Sequence, residues 1–321
     1  MIAARGTDET RTMTPRQDRI AGGLIGLLVG DALGVPYEFH SPGEIPSEDR
    51  IEFKPPAGFM RSHSVPPGTY SDDGAQALCL LASLLECGRL DPDDFARKLL
   101  AWYDDGYCAV DNRVFDVGIQ TRRAIRALKD GVPAREAGPS EERANGNGSL
   151  MRVLPLALWH LGTAAELVAD ACLQSRVTHG HPRSEACCAL YCLWARRTLD
   201  GSADPWADAA STLRNLLEPG SPLLAELEGA IRPDDPPAGR GGGYVVDCLN
   251  SARLAAGAGD FERVVRAAVR LGDDTDTTAA VAGGIAGLRD GLAAIPRRWA
   301  EKLRGDAWYQ PLLRDLVARH A

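Results

Sequence analysis

Asp274, Asp276 and Thr277 stand in the run Gly272-Asp-Asp-Thr-Asp-Thr277, where an Ala/Gly-rich helix is expected to begin. They offer oxygen alone, the donor type that suits magnesium, manganese or calcium and not zinc or copper. The same residues could equally form an N-cap whose charge complements the helix dipole. A second group, Ser71, Asp72 and Asp73, precedes the apolar run 75–86 in the same manner. If both groups met Glu38 in space, five carboxylates would share one site, and they could not all stay ionised without counter-charge. Two divalent cations, Mg2+ or Mn2+, would balance four of those charges and are the expected cofactors. That expectation requires residues about two hundred positions apart in the chain to converge.

Convergence needs rigid elements, and the pattern of apolar residues supplies helices rather than strands. Helical spacing runs through 20–33, 75–86, 94–102, 119–129, 150–160, 164–175, 184–198, 245–256, 261–271 and 277–289. Loops rich in Pro, Gly or charge fall at 40–67, 131–148 and 233–243. No loop separates two cores, so the expectation is an all-α chain with a tail over 1–19 and one domain over 20–321. Gly22, Gly26, Gly30 and Gly34 line one helical face, and Gly283 and Gly287 do the same on the last long helix. Such stripes allow two backbones to approach closely, which would carry Asp31 and Glu38 toward Asp274 and Asp276.

Composition narrows the class. The 321 residues are 45% hydrophobic, enough for a sizeable core, and the net charge of −8 disfavours general binding to nucleic acid or to a membrane surface. Eight cysteines lie mostly inside apolar helical patterns without metal-type spacing and read as thiols of a reducing cytoplasm. The segment before residue 20 lacks the apolar core of a signal peptide, and the apolar run 20–30 is too short for membrane insertion.

Three further motifs suit ligand contact. Gly146-Asn-Gly-Ser-Leu-Met-Arg152 is an amide-rich turn entering a helix, and the backbone N–H groups of Asn147, Gly148 and Ser149 could cradle a pyrophosphate. It lacks the Gly-Lys-Ser/Thr ending of a nucleoside-triphosphate loop. Tyr244 follows three glycines and could stack on an adenine or lie half-buried at a helix entrance. Asp116 precedes an amphipathic helix and taken alone reads as an N-cap.

In order along the chain, Gly26-Leu-Leu-Val-Gly-Asp31-Ala-Leu-Gly-Val-Pro-Tyr-Glu38, Ser71-Asp72-Asp73, Phe115-Asp116-Val-Gly118, Asn147-Gly-Ser-Leu-Met-Arg152, Thr178-His179-Gly-His-Pro182, Gly243-Tyr244-Val-Val-Asp247 and Gly272-Asp-Asp-Thr-Asp-Thr277 resemble the ADP-ribosylglycohydrolase family. Within it the chain looks most like the dinitrogenase-reductase-activating glycohydrolases. The resemblance implies a compact orthogonal all-α domain with a two-metal centre that hydrolyses the bond joining ADP-ribose to an acceptor. It implies that Ser71, Asp72, Asp73, Asp274, Asp276 and Thr277 hold the metals. Glu38 is implied as a further ligand or as the base acting on metal-bound water. Asp116 is implied at the ribose, and His179 near the phosphate or ribose. The partner implied is an ADP-ribosylated protein, with arginine as acceptor; a small ADP-ribosyl or nucleoside conjugate and a non-catalytic ADP-ribose binder are the alternatives. The chain departs from the family pattern at Gly74, where a threonine is common, and at Asp273, where a glycine is usual.

Overall fold

The computed structural model describes residues 13–320. Among these residues the chain forms fourteen α-helices and no strand. In order they are α1 (Pro15–Gly34), α2 (Asp72–Cys87), α3 (Pro92–Asp105), α4 (Ile119–Lys129), α5 (Leu154–Trp159), α6 (Ala164–Arg176) and α7 (Pro182–Leu199). They continue with α8 (Pro205–Leu216), α9 (Pro222–Glu226), α10 (Val245–Ala256), α11 (Phe261–Arg270), α12 (Thr275–Asp290), α13 (Arg297–Ala300) and α14 (Asp306–Ala318).

Local chemistry explains where the boundaries differ from expectation. Helix α1 begins at Pro15, inside the segment expected as a tail, because Thr14 caps it and Gln17 completes a capping box with proline in the first turn. Residues 1–12 of that expected tail lie outside the described residues. The helix expected from residue 150 starts only at Leu154, because Pro155 has no N–H to donate within a longer helix and is accepted in a first turn. Helix α8 falls outside the expected set, although Asp204 caps it and Trp206, Ala209, Ala210 and Leu213 bury one face at helical spacing. Helix α14 also falls outside it, and Pro311 within it breaks the sequence pattern.

The core forms around α1, which is buried almost throughout. With its following turn to Tyr37, α1 is long and apolar enough to cross a bilayer, more than the expected short run at 20–30, yet its apolar window is wholly buried within the protein. The two glycine stripes meet as expected. A Cβ at Gly22 would lie 2.4 Å from the Gly287 carbonyl oxygen, one at Gly26 2.4 Å from that of Gly283, and one at Gly30 2.0 Å from that of Ala279. At the end of the crossing, a Cβ at Gly34 would sit 2.3 Å from the Asp276 Cα. The α1–α12 contact is therefore backbone against backbone, and it holds the start of α12 at a set height along α1.

Replacing Gly30 by alanine must push these helices apart, which should destabilise the fold by on the order of 3 kcal/mol as an overpacking change. Gly43 serves as the control, since a methyl group there would have no other atom within 4 Å. Urea unfolding should show a clear loss of midpoint for Gly30→Ala and almost none for Gly43→Ala; equal midpoints would contradict the packing described.

Candidate active site

Two helix N-termini build the floor of a cleft of about 200 Å³. At α2, Ser71 occupies the N-cap and its hydroxyl accepts from the Asp73 N–H, so the pair of carboxylates enters the first turn with fixed direction. Asp31, fully buried on α1, reaches across and accepts from the Ser71 N–H at 2.8 Å and the Gly74 N–H at 2.7 Å. A Cβ at Gly74, where the family commonly has threonine, would meet Leu28 at 2.8 Å and Tyr70 at 2.9 Å, so these side chains would have to shift to admit it. At α12, Asp274 takes the N-cap position, yet its side chain makes no cap bond and instead accepts from the Asn147 amide at 2.8 Å. Thr277 donates to Asp73 Oδ1 at 3.3 Å, which joins the two helix starts directly.

Glu38 follows α1 by one short turn and brings the third element. Its carboxylate lies with those of Asp274 and Asp276 in one group whose ligand atoms are within 4.8 Å of each other. It lies equally close to His63 and Asp116, and His63 Nε2 is 2.5 Å from Glu38 Oε2. His63 sits in the loop 40–67, which carried no signal for it: a lone histidine in a Pro-rich loop has no spacing to read. Asp116 adopts φ 53°, a left-handed conformation, and lines the cleft; Gly118, not Asp116, caps α4.

The Asn147 turn closes the opposite wall. Asn147 N–H donates to Gly243 O, so it is taken from the expected phosphate cradle, and Val245 N–H donates to Asn145 O, which ties the turn to the entrance of α10. Asn147, Gly148 and His179 line the cleft. Gly148 permits the approach of His179, since a Cβ there would lie 2.9 Å from His179 Cε1. The Ser149 side chain is fully buried and accepts from the Ser175 hydroxyl in the core, so only its backbone N–H is left for the expected cradle. Tyr244 is not among the residues lining the cleft; its ring is half-exposed, 5.9 Å from the Arg183 guanidinium. Ser71 and Asp276 lie behind the cleft surface, as cap and floor. Asp273, also left-handed at φ 55°, is exposed to solvent.

Burial dominates the electrostatics. It raises Asp31 from the usual 3.8 to about 7 and, with Asp274 adding repulsion, Asp116 to about 6. Glu38 rises to about 11, again by burial first and then by Asp116 and Asp274. Asp72, Asp73 and Asp276 are pushed well above the carboxylate range by burial first, and then chiefly by Asp116, Asp31 and Glu38 respectively. His179 falls to about 3, through burial and then the Arg152 charge, and is neutral. Asp73 Oδ2 and Asp276 Oδ2 are buried without a hydrogen-bond partner among the described residues. Orphaned carboxylate oxygens facing like charges, with oxygen donors on every side, fit a hard divalent cation and nothing apolar.

Residues 12–321 match the ADP-ribosylglycohydrolase family. The chain belongs to that family and is a glycosidic-bond hydrolase of its kind. It is 31% identical over 312 residues to an ADP-ribosylarginine hydrolase, Tri1, of Pseudomonas putida (strain GB-1), covering 96% of this chain and 81% of that one. It is 32% identical over 289 residues to the ADP-ribosyl-[dinitrogen reductase] glycohydrolase of Rhodospirillum rubrum, covering 89% of this chain and 90% of that one. A solved structure, an ADP-ribosylglycohydrolase-related protein complex, superposes with a TM-score of 0.76 at 35% identity, covering 95% of this chain and 99% of that one.

Asp31 and Asp116 bind their protons more tightly in the fold than in the unfolded chain, so ionising them costs stability as pH rises. With divalent cations chelated, the melting temperature should fall between about pH 4 and pH 7, the window set by their shift from 3.8 to about 6 and 7. Added Mg2+ or Mn2+ should offset much of that fall, by binding the neighbouring carboxylates of the folded state alone. A melting temperature flat across this window without cations would refute the buried-charge account.

Proposed function

We propose that this chain removes ADP-ribose from arginine side chains of proteins by metal-dependent hydrolysis. The observation that carries the reading is the cleft itself, where Glu38, Asp72, Asp73, Asp116, Asn147, Gly148, His179, Asp274 and Thr277 share one wall-to-wall surface. Support for the arginine acceptor comes from the relatives, one of which is named for ADP-ribosylarginine and another for ADP-ribosylated dinitrogen reductase. We place the protein in the reducing cytoplasm, since all eight cysteines are free thiols and seven are buried.

In this reading Asp72, Asp73, Asp274, Asp276 and Thr277 would hold two divalent cations, Mg2+ or Mn2+, with Ser71 orienting the pair on α2. When bound, such cations orient the ribose diol and polarise the attacking water. Glu38, once ionised beside such cations, would accept the proton of the attacking water, and His63 would hold the carboxylate through its 2.5 Å contact. Asp116 meets the ribose as positive character builds at the anomeric carbon. Asn147 and Gly148 present the pyrophosphate-facing turn, and neutral His179 supplies a hydrogen bond beside it. Water adds to the anomeric carbon as the C–N bond breaks, and the proton taken up by Glu38 passes to the departing guanidine nitrogen, so arginine leaves as its guanidinium.

Incubated with ADP-ribosylated arginine, serine and threonine substrates and with free conjugates, the protein should release ADP-ribose only with divalent cations and fastest from arginine. Asp116→Asn should retain metal and ADP-ribose binding while kcat falls on the order of 100-fold. Asp276→Ala should lose tight Mn2+ binding by calorimetry. Release only from free conjugates would replace the arginine reading with a small-molecule hydrolase, and binding of ADP-ribose without any release would make the chain a non-catalytic binder.

A further inference from the structure

Phe39 is 68% exposed yet sits directly after the buried Glu38. Its backbone is left-handed, with φ 61°, a conformation that a bulky side chain adopts only when its surroundings impose it. The surroundings here are specific. Phe39 N–H donates to the Asp273 carbonyl at 2.6 Å, and Asp273 N–H donates to the His40 carbonyl at 2.8 Å. Two left-handed residues thus lock the exit of α1 to the entrance of α12. The exposed ring is anchored at its base beside the acidic group.

Two more rings continue the collar. His63 lies 5.8 Å from Phe39 and 5.2 Å from Phe115, centroid to centroid, tilted 52° to each. Phe115 immediately precedes Asp116. The His63 ring edge and the carboxylates of Glu38 and Asp116 come within 4.8 Å of each other. The mouth formed by these rings therefore adjoins the carboxylates of Glu38 and Asp116, which line the cleft. The neighbouring Arg113 guanidinium is engaged by the Ser64 carbonyl at 2.9 Å.

We infer that Phe39, backed by His63 and Phe115, is the acceptor subsite and that it selects a planar cation, the guanidinium of the arginine to be released. The inference rests on the arginine reading above. A guanidinium stacks flat on an aromatic face and keeps its N–H edge free for carboxylates, so it uses both halves of this mouth. A serine or threonine acceptor has neither charge nor plane and gains from neither half.

Steady-state kinetics on an ADP-ribosylated arginine peptide and an ADP-ribosylated serine peptide test this. Phe39→Ala should raise KM for the arginine peptide roughly 3- to 10-fold, the range expected from losing one cation–π contact. Its kcat should change little, the serine peptide should be unaffected, and ADP-ribose should bind as in wild type. Phe39→Leu keeps apolar bulk without a π-face and should behave like alanine, whereas Phe39→Trp should restore the arginine KM. Retained KM in Phe39→Ala, full rescue by leucine, or an equal loss on both peptides would each overturn the subsite. Weakened ADP-ribose binding would also overturn it, since the ring would then belong to the nucleotide side. If wild type released nothing from the arginine peptide, the arginine reading would fall first and the subsite with it.

Discussion

The backbone contact between α1 and α12 is the constraint on which the site depends. Four glycines on α1 place carbonyls and Cα atoms of α12 where side chains would otherwise stand. Contact this close leaves little freedom to slide, because each glycine meets a particular partner: Gly22 meets Gly287, Gly26 meets Gly283, Gly30 meets Ala279 and Gly34 meets Asp276. The last pairing sets the height of Asp276 relative to Glu38, four residues beyond Gly34. Metal-type chemistry is thus positioned by residues that have no side chains.

That scaffold holds together a group of charges that water would keep apart. Asp31 fastens the α2 start to α1 through two backbone N–H groups, and Thr277 bridges α12 to Asp73. Fully buried Arg152 donates to Gln76, whose amide donates to Asp72, so a fixed positive charge reaches the cluster through one neutral link. The same guanidinium bonds Gln174, which donates to the Ser149 carbonyl. One interior network therefore ties the acidic floor to the turn on the opposite wall. Even so, burial first and then the neighbouring carboxylates keep the proton affinities of Glu38, Asp72, Asp73 and Asp276 raised.

The departures from the family pattern have physical reasons in the same packing. Gly74 is enclosed by Leu28 and Tyr70 and gives its N–H to Asp31, so a threonine there would require these side chains to shift. Asp273 adopts the left-handed backbone that glycine would take, an option open to aspartate at modest cost, and turns its carboxylate to solvent.

What the sequence determined by itself was whatever depends on near neighbours along the chain. Helical periodicity, caps such as Ser71, the oxygen-only donor set and the glycine stripes are all local patterns, and they placed α2, α4, α10 and α12 within a few residues. Even α8, which no expected helix covers, is legible in the spacing of Trp206, Ala209, Ala210 and Leu213. Only the tertiary structure decided which candidates share a surface. It turned the Ser149 side chain into the core, left Tyr244 outside the cleft lining, and drew His63 from an unpatterned loop onto Glu38. The physical reason is that a side chain's direction in a loop or turn is set by hydrogen bonds to partners far away in the chain. No local spacing encodes those partners.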